Sequence, residues 1–153
     1  AVEFDVQVEG EALVRSGNML EQLLDAFPAF ESFTSFDVEN TQEFEAHQTS
    51  KDHVQAARIT LVRLSIVSPE DATFDFLNEI TFFVESPNHP KVQVATKALP
   101  NGANTVDLDL ADVDVAPYVK DDAFSVTTTV NGRRPAEDVT VRAEMTLHVV
   151  AQP

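Results

Sequence analysis

This sequence contains no cysteine and no tryptophan, and it has only four glycines (Gly10, Gly17, Gly102 and Gly132). Without cysteine, disulfides, thiolate nucleophiles and zinc–thiolate sites are excluded. The few glycines form no G-x-S-x-G nucleophile elbow, no G-x-G-x-x-G turn and no phosphate loop. A sugar cleft built on stacking aromatics is disfavoured, because only one tyrosine accompanies eleven phenylalanines. These absences predict a protein that is not an enzyme.

Positive charge is also scarce. Ten Lys and Arg residues stand against 26 Asp and Glu residues, which gives a net charge of −16. The first fifty residues hold eleven acidic side chains and one cation, Arg15. Such a surface repels nucleic acid and anionic membranes, which proteins bind through Lys and Arg. We therefore expect no nucleic-acid partner, and we expect any partner to be a cationic protein, a metal ion or a neutral glycan.

Apolar runs long enough to cross a membrane are absent, so no transmembrane segment is predicted. The 153 residues are 43% hydrophobic, which suits one domain with its own core over residues 1–153. The chain begins at Ala1 without Met, as it would after removal of a signal peptide, although a trimmed chain would look the same. We expect an exported protein, in the periplasm, on the cell surface or outside the cell.

Strict alternation of apolar and polar residues marks half-buried strands at both ends of the chain. The opening segment places Val2, Phe4, Val6 and Val8 on one face and an acidic set on the other. The closing segment does the same over residues 139–149, with Val139, Val141, Ala143, Met145, Leu147 and Val149 on the apolar face. Self-pairing of the opening strand within its own sheet is favoured over its donation to another subunit.

Further strands are predicted at 36–46, 58–67, 79–85, 92–94, 106–110 and 124–130. A β-bulge near Leu61–Val62 would reconcile the two parities of the 58–67 segment. Loops are expected at Ser86–Pro90 and after the Asn131–Gly132 turn, with short helical turns at 73–77 and 115–119. The pattern predicts an all-β protein, an antiparallel β-sandwich of about eight strands of immunoglobulin-like or Greek-key type, with a closed barrel as the alternative.

One helix is expected near residues 18–27. Met19, Leu20, Leu23, Leu24 and Phe27 recur at helical spacing, and Pro28 ends the pattern. Phenylalanines then recur every three residues at Phe27, Phe30, Phe33 and Phe36. They predict a wedge of core residues, with the lining of an apolar cavity as the alternative.

Aspartates cluster in the second half of the chain. Asp107 and Asp109 are two apart on one predicted strand and so would project from one face, and Asp112 and Asp114 follow it. Calcium takes about six to eight oxygen ligands, which clustered carboxylates can supply. These four residues are therefore the candidate calcium site, although the D-x-D-x-D-G loop is missing, and a solvated acidic face is the alternative. His47, His53, His89 and His148 are scattered and are interpreted as surface residues.

The segments Ile59–Leu64, Phe74–Ile80 and Pro117–Val119, followed by the long closing strand, resemble uncharacterised bacterial exported β-sandwich proteins. The resemblance covers residues 33–150 and depends on the sequence pattern of these segments, not on an invariant motif. Many of those proteins are predicted lipoproteins, so it implies envelope association through a lipid anchor. This chain lacks the cysteine that would carry the anchor.

The sequence therefore predicts an exported, non-catalytic binding or structural module of the cell envelope or extracellular space that acts through protein contacts. The first alternative is a filament or pilus subunit that self-assembles by donating its N-terminal strand. The second is a calcium-dependent adhesion or carbohydrate-binding module.

Overall fold

In a computed structural model of the chain, the described residues are 1–17, 42–122 and 124–152. Their strands form two antiparallel four-stranded sheets, which confirms the all-β sandwich. The first sheet has the order β1 (Val2–Val14), β8 (Val139–Ala151), β2 (Val54–Ser68), β5 (Thr105–Asp107). The second has the order β6 (Asp109–Leu110), β4 (His89–Ala98), β3 (Leu77–Ser86), β7 (Ser125–Gly132).

Helical structure is short in the described parts of the chain. Helices α1 (Gln42–Ala46) and α2 (Ala116–Val119) are accompanied by 3-10 turns at Lys51–His53 and Phe74–Phe76. The turns predicted at 73–77 and 115–119 are thus confirmed. The helix predicted near 18–27 and the phenylalanines from Phe27 to Phe36 lie outside the described residues. None of the described helices is long and apolar enough to cross a membrane.

The core lies between the two sheets and follows the alternation of the strands. In β1 the even-numbered residues face inward, and Phe4, Val6 and Val14 are buried. In β8, which lies between β1 and β2, every odd-numbered residue from Val139 to Ala151 is buried. Full burial of a large apolar side chain stabilises the fold by about 1.5–3 kcal/mol. The apolar face of each strand therefore determines which side of its sheet faces the other sheet.

Strand β2 contains the predicted bulge. Its pairing with β8 shifts register between Ile59 and Leu61, one residue before the predicted position. Because of this shift, Ile59, which precedes it, and Val62 and Leu64, which follow it, are all buried in the core. The bulge thus reconciles two apolar parities within one strand.

The strand predicted over 36–46 is wrong where the structure describes it, because residues 42–46 form helix α1. Phe44 is the buried residue of this helix, and its ring meets that of Phe4 edge-on at 5.0 Å between centroids. A single buried phenylalanine between acidic residues fits either a strand or one helical turn. Glu43 and Glu45 in the first turn are favourable, since a helix N-terminus attracts negative charge.

Two predicted loops between strands are shorter in the structure. The hairpin from β3 to β4 turns at Pro87–Asn88, and β4 already begins at His89. Asn131 and Gly132 belong to β7, and the loop begins only at Arg133. Gly132 has φ +157°, and a Cβ there would lie 2.4 Å from the Phe76 carbonyl oxygen. This glycine is required by a close backbone approach rather than by a turn.

Candidate functional site

The chain between Thr105 and Leu110 passes from one sheet to the other. Strand β5 pairs with β2, whereas β6 pairs with β4. Leu108 lies buried between them, and its N–H donates to the Val62 carbonyl at 2.9 Å. The single strand predicted over 106–110 is therefore wrong, and Asp107 and Asp109 belong to different sheets. The period-two pattern survives the crossing because Val106 and Leu108 both reach the core.

Three of the four aspartates proposed as calcium ligands form separate ion pairs. Asp107 accepts from Arg63 Nε at 2.7 Å and from Arg63 Nη2 at 3.2 Å. This hydrogen-bonded pair lowers the pKa of Asp107 and raises that of Arg63. Asp109 lies 3.6 Å from Lys97 Nζ, and Asp112 pairs with Arg58. Each carboxylate thus has its own cation.

Asp114 has a different task, because it binds backbone rather than a cation. Its Oδ1 accepts the N–H of Ala57 in β2 and the N–H of Ala116 at the start of α2, both at 3.0 Å. The four aspartates are therefore not brought together. Across residues 1–17, 42–122 and 124–152, no group of three or more potential ligand side chains is placed to hold a metal ion. Calcium binding stays a prediction that these contacts do not support.

A cleft of about 440 Å³ opens at the end of the sandwich where α2 meets the β3–β4 hairpin. This volume is within the range of small-ligand sites. The ring of His89 lies 5.3 Å from that of Tyr118, whose hydroxyl donates to the Pro90 carbonyl at 2.6 Å. The cleft is lined by Val54, Gln55, His89, Asp114, Ala116, Pro117, Lys120 and Asp121.

The carboxylates of this cleft are occupied by structural contacts. Asp121 accepts from the backbone N–H of Asn88 at 2.9 Å, from the Asn88 side-chain amide at 2.8 Å and from the Asp122 N–H at 2.8 Å. The neighbouring Ser86 hydroxyl and the Asn88 N–H hold the pKa of Asp121 well below its usual range. Asp121 thus fastens the hairpin to the loop after α2, as Asp114 fastens α2 to β2.

A longer feature is the outer edge of the first sheet. Strand β1 has 13 residues, and it pairs with β8 from Val2 to Val14 without any shift of register. In the sheet order β1 is terminal, so none of the described strands pairs with its other side. Its odd-numbered residues are exposed from Glu3 to Leu13. The described chain therefore presents a long, regular strand edge with an acidic face.

Three ion-pair contacts join side chains of β1 to side chains of β8. His148 Nδ1 lies 2.8 Å from Asp5 Oδ1 and His148 Nε2 lies 3.0 Å from Glu3 Oε1. Hydrogen bonds to Glu3, which has the larger effect, and to Asp5 raise the pKa of His148. Farther along, Arg142 Nη2 lies 2.8 Å from Glu11 Oε2. These contacts supplement the backbone pairing of β1 with β8.

No protein family and no curated protein matches this sequence. The function must therefore be argued from the strand edge, the cleft and their charges.

The sequence predicted that His148 faces outward but not what it contacts. The antiparallel register of β1 on β8 places Asp5 opposite His148, and alternation alone does not determine that register. The sequence pattern did not indicate the cleft. Its walls come from segments far apart in the chain, and the sequence pattern does not show that α2 folds back onto the start of β2.

Proposed function

We propose that this protein is a non-catalytic binding module that takes a strand of a partner protein onto the outer edge of β1. The observation that carries the proposal is the edge itself, 13 residues long and unbroken by any bulge. A strand edge offers a row of backbone donors and acceptors that an extended segment can pair with. Proteins commonly protect such edges with bulges, short strands or charged side chains. Strand β1 is long and has no bulge, and its protection is limited to its acidic side chains.

Pairing of β1 within its own chain favours this reading over a filament subunit that donates β1. Phe4, Val6 and Val14 of β1 are buried in the core. Donation would remove these side chains from their own sandwich and would uncover β8. Deletion of residues 1–10 separates the two ideas. We expect the deletion to prevent folding of the monomer, whereas a donor subunit would fold without the segment and lose only assembly.

The cleft beside α2 is the competing contact surface. It has a suitable volume, but its two carboxylates accept hydrogen bonds from backbone N–H groups.

Export from the cytoplasm and an immunoglobulin-like relationship also belong to the proposal. Fractionation of the source cells tests the first, because a cytoplasmic pool alone would contradict it.

Hydrogen exchange tests the edge directly. In the free protein we expect alternate amides of β1 to exchange fast, since successive N–H groups of a strand point to opposite sides. Uniform protection of β1 would mean that the edge is already covered, and it would overturn the proposal.

A display library of random segments can then be selected on the folded protein. We expect selected segments to be extended, with alternating apolar residues, and to slow exchange of the fast β1 amides. Segments that protect the residues around Lys120 and leave β1 unchanged would move the binding site to the cleft and contradict edge pairing.

A further inference from the structure

The charges along β1 define which strand could pair there, given the proposed edge binding. Glu3, Asp5, Glu9 and Glu11 are all exposed on the outer face. Glu3 and Asp5 are bridged by His148, and Glu11 is bound by Arg142. Glu9 differs from the other three.

Glu9 lies directly opposite Glu144 of β8 in the strand register. Like charges opposite each other on one face of a sheet destabilise the pairing. On its other side Glu144 lies opposite Arg63, but that guanidinium makes two hydrogen bonds to Asp107. In the described part of the chain, no ion pair joins Glu9 or Glu144 to a cation. Arg142 also attracts Glu9 and Glu144, but its guanidinium is hydrogen-bonded to Glu11. Glu9 and Glu144 therefore leave an excess of negative charge near the middle of the β1 edge.

We propose that the strand which docks on β1 is basic on its outer face, with Lys or Arg alternating with apolar residues. A cation placed beside Glu9 would offset the repulsion between Glu9 and Glu144. The apolar residues of the same strand would face the core side, where Val2, Val8 and Ala12 are only partly buried. The alternation of β1 thus selects a partner strand with the complementary alternation.

The same charges disfavour a second copy of this chain as the occupant. Two β1 edges placed side by side would bring acidic residues against acidic residues, since every odd-numbered position from Glu3 to Glu11 other than Gln7 is acidic. The net charge of −16 adds repulsion between whole molecules. A basic segment of a different protein is the complementary occupant.

Three synthetic peptides of about nine residues test this inference, since that length spans a typical strand. They alternate Val with Lys, with Thr or with Glu. We expect the Lys peptide to bind at least about tenfold more tightly than the Thr peptide, and the Glu peptide not to bind. The preference should shrink as salt is raised. Titration calorimetry measures the affinities, and hydrogen exchange locates the peptide on β1.

The substitution Glu9→Gln tests the central charge. We expect it to weaken binding of the Lys peptide about two- to fivefold and to leave the Thr peptide unchanged. The matched control is Glu79→Gln, an exposed residue of β3 in the other sheet, which should change neither.

The outcomes separate the two proposals. If the Lys and Thr peptides protect β1 equally, the edge binds strands but does not select charge, and this inference is wrong while the proposed function stands. If no peptide protects β1, both are wrong. Protection of β1 that rises with protein concentration alone, together with a dimer in light scattering, would overturn the inference in favour of a second copy.

Discussion

The Nδ1 atom of His148 lies 2.8 Å from Oδ1 of Asp5, so an ionisable contact joins the edge strand to its neighbour. Glu3 approaches the other ring nitrogen at 3.0 Å, and Arg58 of β2 lies opposite His148 on its remaining side. Arg58 is itself paired with Asp112. The charge of one imidazole therefore adds a pH-dependent contribution to the pairing of β1 with β8 near the N-terminus.

We expect His148 to make stability depend on pH. Its pKa is raised in the folded protein, so its contribution is fully present below about pH 6.5, the unfolded value. The contribution is lost as pH rises through the folded pKa. The side chain is 37% exposed and solvent screens the pair, so we expect at most about 1 kcal/mol. Denaturant unfolding of the wild type and of His148→Asn should show the gap between them closing from about pH 5.5 to about pH 9.

The matched control for this prediction is His53→Asn. His53 is exposed, and its carbonyl oxygen, rather than its ring, accepts from the Gln152 N–H. We expect His53→Asn to lower the stability less than His148→Asn does below about pH 6.5. A gap for His148→Asn that widens toward alkaline pH would contradict the assigned ion pair.

Removal of Asp114 should destabilise the protein more than removal of Asp112. Asp114→Ala leaves the N–H groups of Ala57 and Ala116 without their acceptor, which we expect to cost about 1–2 kcal/mol. Asp112→Ala breaks an exposed ion pair with Arg58 and should cost less than about 1 kcal/mol. Thermal unfolding of both variants checks the order. Equal losses would mean that Asp114 contributes only surface charge.

Alanine substitutions at two glycines can distinguish the cost of backbone strain from the cost of steric overlap. Gly102 has φ +79°, and a Cβ added there would meet no atom within 4 Å, so Gly102→Ala should cost about 1 kcal/mol from conformation alone. Gly132→Ala adds overlap with the Phe76 carbonyl and with Leu77 Cα, at 2.4 and 2.8 Å. We expect a loss of at least about 2 kcal/mol there. Denaturant unfolding measures both, and similar losses would show that the β7 backbone can move away.

Calcium should leave the melting temperature unchanged. Asp107, Asp109 and Asp112 each face a different cation, so binding calcium would require breaking those pairs. Scanning calorimetry with calcium and then with chelator tests this expectation. A calcium-dependent rise in melting temperature that is absent in the double variant Asp107→Asn/Asp109→Asn would restore the calcium hypothesis.

Long strands with regular alternation were predictable, and so were the helical turns at 73–77 and 115–119, but the separate short strands β5 and β6 were not. Strands β1 and β8 were recognised because one face of each is apolar over many residues, and the β2 bulge because its apolar parity changes. Residues 106–110 also alternate, but they divide between two sheets. Alternation with a period of two shows which side chains face the core. It does not show with which sheet the strand forms its backbone hydrogen bonds.

The sequence by itself determined the all-β class, the half-buried character of both terminal strands and the excess of negative charge, because these depend on residue type and spacing along the chain. Only the tertiary structure decided that Asp5 meets His148, that Glu9 opposes Glu144 and that the four aspartates have separate partners. Those relationships join residues far apart in the chain. They depend on strand order and register, which follow from how two whole sheets pack together.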